Sequence, residues 1–368
     1  MFEVNELTIQ IAATAVKILF LFIICAQVPP IMVWVERRLP ALMQRRKGPN
    51  RVGLGPFTIF GKKIGPFRLL GLIQPVADAI KLIFKEEVVP DAANKVFFHI
   101  APVFCLFPAL MIAAAIPFGH VVEIFGYKIS LQVVSLDVGF LYIFAFSSIA
   151  VYGVTLAGWS CNNKYSLMGG IRSSAQMISY EIPMGMSLIP VVLYYGTLDL
   201  NEIVGKQVSM WGIFNPVLAI SFVIFLVCMF AETNRAPFDL AEAEGELVAG
   251  FHTEYGSFKF SLFFFAEYVS MFVLSCLAST LFFGGWNVPF ISYDQLLNVF
   301  GFQAIVAIIG FVMLLLKATF FMWLYVWVRW TVPRFRYDQL MGLGWKFMMP
   351  VALANIVLAA ITLTLFHR

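Results

Sequence analysis

Hydrophobic positions run in long blocks: residues 9–35, 96–118, 138–160, 174–198, 216–231, 258–284, 301–328 and 347–366 are each dominated by Leu, Ile, Phe, Val and Ala. A membrane-crossing helix needs about 20 mostly apolar residues, and the blocks show no apolar/polar alternation of the kind a barrel strand needs. The pattern therefore predicts eight transmembrane helices in a bundle. The first block is interrupted by Lys17; either this side chain snorkels to the nearer surface or the span begins at Ile18. A ninth helix is expected at 67–87. There Leu69, Leu72, Ile73, Val76, Ile80 and Ile83 recur at helical spacing while Asp78, Lys81 and Lys85 fall elsewhere. Such a helix can lie in the membrane interface, with a kink at Pro75; a short soluble hairpin helix is the alternative. The glycines and prolines from Gly48 to Pro66 oppose regular helix before it.

Composition sharpens this picture. The 368 residues are 61% hydrophobic and 12% charged, with mean hydropathy +0.86. Ordinary soluble domains are roughly a quarter charged, so too few charges remain to cover a soluble surface. Soluble enzymes and nucleic-acid modules are excluded on this ground. The expected fold is all-α, one polytopic membrane domain over 1–368, with no internal repeat. Eighteen of the 25 Lys and Arg lie in 36–95, 161–172, 231–257 and 329–345, whereas the opposite loops and the tails hold Lys128, Lys206 and Arg368. This bias places the four basic segments in the cytoplasm or a matrix and both termini outside. No cleavable signal peptide is evident. The long basic inner loop is 36–95, and the acidic inner loop is 231–257.

The five cysteines form no CxxC pair and the four histidines no paired haem set, so no metal site is expected in this chain. Charges inside a membrane are functional candidates by default. Glu181, Glu267 and Lys317 stand in three different spans at estimated depths of roughly 12, 14 and 18 Å from the inner side. A shared proton-carrying cluster accounts for the common layer; separate structural contacts are the alternative. The loop 231–257 carries Glu232, Asp239, Glu242, Glu244, Glu246 and Glu254 against one arginine, Arg235. With Pro237 opening a helix, Asp239, Glu242 and Glu246 would share one face and Glu244 the other. Buried together, three such carboxylates would titrate as a coupled set and take up and release protons. The interleaved Phe238, Leu240, Leu247, Val248 and Phe251 argue against a merely solvated loop.

The stretch ETNRAPFDLAEAEGELVAGFHTEY closely resembles the signature of the H subunit of NADH:quinone oxidoreductase (respiratory complex I; subunit 1 in mitochondria). ERRLPALMQRRKGPNRVGLGP at 36–56, QPVADAIKLIFKE at 74–86, KYSLMGGIRSSAQMISYE at 164–181, AEY at 266–268 and PRFRYDQLM at 333–341 match in order and spacing, over about residues 18–350. The resemblance implies a membrane-arm subunit that forms much of a quinone-binding tunnel and couples quinone reduction to proton translocation. Quinone is then a substrate, no cofactor is bound covalently, and FMN and the iron–sulfur clusters belong to partner subunits of the peripheral arm. By resemblance, Glu181, Glu232, Asp239, Glu242, Glu244, Glu246, Glu254 and Glu267 join the proton path, and Lys317 is grouped with them from its depth. Arg37, Arg45, Arg46, Arg51 and Asp78 would line the tunnel mouth or dock the peripheral arm, with Arg235 and Phe238 beside the tunnel. Partners are peripheral- and membrane-arm subunits and lipid, with no nucleic acid, in a bacterial inner membrane in preference to a mitochondrial one. The alternatives are the matching subunit of a membrane-bound hydrogenase or deazaflavin-dependent dehydrogenase, and a stand-alone proton-coupled transporter.

Overall fold

A computed structural model describes residues 6–366 apart from 54–56, 60–61, 65–68, 125–126, 241–243, 290 and 292. In chain order the helices are α1 (Glu6–Met43), α2 (Gln74–Phe84), α3 (Lys95–Ala114), α4 (Gly139–Ser160), α5 (Lys164–Tyr195), α6 (Leu200–Lys206), α7 (Pro216–Glu232), α8 (Glu244–Leu247), α9 (Ser257–Phe282), α10 (Tyr293–Phe300), α11 (Gln303–Thr331), α12 (Tyr337–Gly342) and α13 (Met349–Phe366). A π-helical stretch, Leu343–Met348, joins the last two into one rod. Two antiparallel hairpins, β1–β2 (Phe57–Ile59 with Lys62–Ile64) and β3–β4 (Val122–Ile124 with Tyr127–Ile129), decorate the loops.

Among the described residues, seven helices are long and apolar enough to cross a membrane: those built on α1, α3, α4, α5, α9, α11 and the α12–α13 rod. The run at 216–231 forms a shorter apolar helix, α7, of 17 residues. The chain is a multi-pass membrane protein. Lipid is the solvent for its outer faces, which explains why Phe22, Ile23, Leu141, Phe320 and many other apolar side chains point outward.

The centre of the bundle is α9. From Tyr268 to Phe282 it is apolar on nearly every side, and every residue of that stretch except Ser270 is buried. Its position follows from its neighbours: α1, α3, α7 and α11 pack around it. Close approaches use small residues, as expected when lipid and Leu are equally apolar and only packing discriminates. A Cβ on Gly169 of α5 would stand 2.6 Å from the Cα of Gly250, so that glycine lets the 250–252 turn dock against α5.

Three expectations need correction in detail. The first span does not break at Lys17: α1 continues through it, and Lys17 Nζ donates to the Gln132 carbonyl at 3.3 Å. The 67–87 segment is not one kinked helix. A 3₁₀ turn at Leu69–Gly71 precedes α2, and Pro75 stands in the first turn of α2, where its missing N–H is of no consequence. The loop after Arg235 does not become a helix at Pro237; residues 235–240 form tight turns, with Phe238 N donating to Arg235 O at 2.9 Å. Phe238 is buried against Tyr180 and Phe335, and Phe335 N donates to the Pro237 carbonyl at 3.3 Å. Those contacts hold the segment in place of helical hydrogen bonds.

Candidate functional site

Four segments far apart in sequence converge on one buried arginine. α1 does not end with its apolar run but continues to Met43, which carries Glu36 into the bundle. Arg235 follows α7 and is only 5% exposed; it pairs through Nη1 with Glu36 and through Nε with Glu267 of α9. Tyr268 donates its hydroxyl to Glu36 Oε2 at 2.8 Å, and its ring lies 4.4 Å below the guanidinium carbon. Arg329, near the end of α11, reaches the same Glu36 oxygen at 3.0 Å. Burial alone would lower the Arg235 pKa, but the charges of Glu267 and Glu36 outweigh it and hold the guanidinium well above its usual value. A two-headed planar cation suits this role, because its fork can hold two carboxylates at once.

This node separates two kinds of space. On the lipid side a cavity of about 730 Å³ lies between α1, α2, α9 and the end of α11. Pro29, Pro30, Val33, Leu82, Phe260, Phe264 and Phe265 give it apolar walls, Glu36, Arg37, Asp78, Tyr268 and Arg329 a polar part, and Lys81, Lys85 and Ser261 line it as well. Arg37 pairs with Asp78 at 2.8 Å across that end. A second cavity, of about 1020 Å³, shares Glu36, Arg37 and Trp330 with the first and is lined further by Arg46, Lys47, Asn50, Arg51 and Gln74. On the interior side a small cavity of about 70 Å³ is bordered by Glu267, Ser270, Glu232, Asn234 and His252. Burial pushes His252 down to about 4. α2 closes one side of the 730 Å³ cavity: Pro75, Asp78, Ala79, Lys81 and Leu82, with Lys85 just after it, line the space, while Val76, Ile80 and Ile83 point outward. Its end is held by Ser257, whose hydroxyl donates to the Lys85 carbonyl at 2.5 Å and to the Leu82 carbonyl at 3.1 Å.

The expected site residues are distributed as follows. Glu267 is in the node, and Glu232 sits one small cavity away, 9% exposed. Glu181 accepts from Ser147 at 2.8 Å and Ser148 at 2.6 Å. Gln176, five positions earlier on α5, donates to Ala231 O at 2.8 Å, which keeps Glu181 near the end of α7. Asp239 pairs with Arg334 at 3.2 Å, Glu246 with Arg172 at 2.7 Å, and Glu254 accepts from Asn163 at 2.6 Å. These three acids thus have separate partners, and Asp239 and Glu246 do not share a helical face. Glu242 and the side chain of Glu244 lie outside the described residues. Lys317 is not with the acids. Its ammonium donates to the carbonyls of Phe283, Gly285 and Asn287, beyond the other end of α9. Arg37, Arg46, Arg51 and Asp78 line the two larger cavities, Arg235 stands behind their wall, and Phe238 is in the core. Arg45 is exposed, with φ 52°.

Glu36, Tyr268, Arg329, Ser147 and Ser148 join the site although the sequence assigns none of them a role, Glu36 and Tyr268 standing inside the family-like stretches at 36–56 and 266–268. Glu36 reads there as the first residue of a basic loop; an acid between an apolar run and Arg37–Arg38 is the one signal that marks it.

The chain resembles known proteins over nearly its whole length. The profile of the family described as NADH dehydrogenase matches residues 16–360. A relative from Leptospira biflexa, the H subunit of NADH-quinone oxidoreductase, is 48% identical over 359 residues, covering 95% of each chain. An H subunit of the same enzyme from Cytophaga hutchinsonii is 47% identical, covering 90% of this chain and 91% of its own. A Rhodothermus marinus relative named NADH-quinone oxidoreductase subunit 8 is 46% identical, covering 91% and 93%.

Proposed function

The chain belongs to the NADH dehydrogenase family, among the H subunits of NADH-quinone oxidoreductase, and from that premise we propose that it forms the lateral quinone path of this enzyme and passes the effect of quinone reduction to buried acids. The observation that carries the proposal is the cavity of about 730 Å³ with apolar walls toward lipid and the Glu36–Arg235–Glu267 node at its inner end. An isoprenoid tail suits the proline- and phenylalanine-lined part. A polar ring suits the end where Arg37, Tyr268 and Arg329 gather. In this reading α2 lies in the membrane interface as the sill of the opening, and α7 is an eighth crossing, recessed from one surface.

The acids nearest the quinone path are Glu36 and Glu267, followed inward by Glu232 and Glu181. Charge added or removed at the polar end changes the balance of two carboxylates sharing one guanidinium, and the 70 Å³ cavity has room and polar partners for water between Glu267 and Glu232. Asp239, Glu246 and Glu254, paired near the inner surface, hold the loop against α5 and the 333–338 segment. The arginines lining the polar cavity face the side on which a peripheral arm carrying flavin and iron–sulfur clusters would sit. Both termini then lie outside a bacterial inner membrane. The test is Glu267→Gln in the intact complex. Quinone reduction and proton pumping are expected to fall together by an order of magnitude or more, roughly the value of a buried charge-assisted contact. Wild-type rates for both would remove the node from the pathway.

A further inference from the structure

A second intramembrane cation, half-buried, is held without a counter-charge among the described residues. Lys317 is the midpoint of α11, 14 residues from either end and so roughly 21 Å from each. Its Nζ donates to Phe283 O at 2.7 Å, Gly285 O at 2.7 Å and Asn287 O at 2.8 Å, and it lies 4.7 Å from the centre of the Trp211 ring. An ammonium has three donors, and all three are engaged. Among the described residues no carboxylate pairs with it. Backbone carbonyls cannot take its proton, so this lysine is poorly suited to relay one.

The loops around it are closed tightly. Gln207 is fully buried; its amide donates to Thr280 O and Leu281 O and accepts from Gly284 N at 2.9 Å and Gly212 N at 3.3 Å. Asn287 donates to Val204 O at 2.6 Å. Gly284 and Gly285 take φ of +69° and +51°, and a Cβ on either would strike Trp211 or Val204. The end of α9 and the segment before α7 are thereby drawn down to the level of the middle of α11.

We propose that Lys317 is a fixed positive plug: an ammonium tethered in a carbonyl cage that blocks passage of protons and metal cations through the outer half of this subunit. A unit charge in a low-dielectric surrounding repels a second cation over many ångströms, which is how fixed positive groups exclude protons and cations from narrow pores. Protons that reach Glu232 and Glu181 from the inner side are then denied an exit within this chain. The proposal rests on the reading of the inner acids as the coupling path.

The test is passive permeability of proteoliposomes holding the whole complex, without NADH, after an acid jump, for wild type, Lys317→Arg, Lys317→Met and Lys317→Gln. Lys317→Gln can still donate to two of the carbonyls while losing the charge, so it separates the charge from the fold should Lys317→Met fail to assemble. Proton leak is expected to rise on the order of tenfold in the neutral variants and to stay at the wild-type level in Lys317→Arg. During turnover the ratio of protons pumped to quinone reduced should drop in the neutral variants only. A wild-type leak in Lys317→Gln overturns the plug, and so does a parallel fall of reduction and pumping with an unchanged ratio. Glu267→Gln serves as the separate control: its failure to reduce activity would overturn the coupling path and leave the leak measurement standing.

Discussion

Arg235 and Lys317 are both cations packed against α9, the buried Arg235 beside its first half and the half-buried Lys317 beyond its C-terminal end, and they are satisfied in opposite ways. Arg235 is held by two carboxylates, Glu36 and Glu267, beside cavities. Lys317 is held by three neutral carbonyls amid close packing. Carboxylates can gain a proton and release the guanidinium; peptide carbonyls cannot. The partners beside the first half of α9 can therefore change protonation, and those beyond its C-terminal end cannot. A buried charge is informative through the nature of its partners, and depth alone does not reveal its role.

The comparison breaks most visibly at Arg235. Arg235→Gln leaves Glu267 without its counter-charge and Glu36 with Arg329 alone, and losing one partner of a buried pair costs about 3–5 kcal/mol. We expect assembled complex and NADH:quinone activity to fall below roughly a tenth of wild type, read on native gels and in membranes. Arg235→Lys should rescue poorly, because an ammonium cannot span both acids as a fork does; full rescue would show that only charge matters there. Next in size is the cavity wall. Ala79→Trp or Leu82→Trp should reduce kcat/KM for long-tailed quinones several-fold more than for short-tailed ones, since an inserted ring fills the lateral part of the space. Leu72→Trp, on an exposed side chain that does not border the cavity, should change neither.

A third expectation concerns acid. His252 is held neutral by burial, with a pKa of about 4 against an ordinary value of 6.5. The unfolded loop therefore binds the proton first. Stability contributed by the neutral ring is complete above about 6.5 and is lost as pH falls toward 4, a change of roughly 3 kcal/mol. The protection factor of amides in the 250–256 segment, taken against the intrinsic exchange rate at each pH, should fall as pH drops through that window in wild type and stay level in His252→Gln. The smallest effect is expected at the surface. Glu246 is 60% exposed in its pair with Arg172, and such pairs contribute at most about 1 kcal/mol. Glu246→Gln should change activity less than about threefold; a loss as large as that of Glu267→Gln would return Glu246 to the proton path.

Much of the architecture is legible in the amino-acid sequence. The length of apolar runs dictates membrane helices because backbone groups in lipid must bond internally, and the chain's own runs reappear as α1, α3, α4, α5, α9, α11 and the α12–α13 rod. Glu181 and Glu267 are identifiable because charge in an apolar run is costly, and Glu232 stands out as the first acid of the 231–257 loop. Helical periodicity also places α2, although Pro75 starts it and does not kink it.

The folded chain alone shows who meets whom. Glu36 and Arg235 are 199 positions apart, and Tyr268 and Glu36 are 232 apart. Periodicity is a local property and carries no information on such pairings. Depth along a helix gives Lys317 the same layer as Glu267, but depth does not fix azimuth or tilt, and the segment after α9 reaches it. The stretch from Pro237 is patterned like a helix, yet docking of Phe238 on Tyr180 and Phe335 wins over the few hydrogen bonds a short helix there could make. Residue order sets the solvent, the class of fold and the residues too costly to bury without reason. Each of those residues acquires its partner only on folding, because ion pairs are selected by helices closing on one another and not by the order of residues along any one of them.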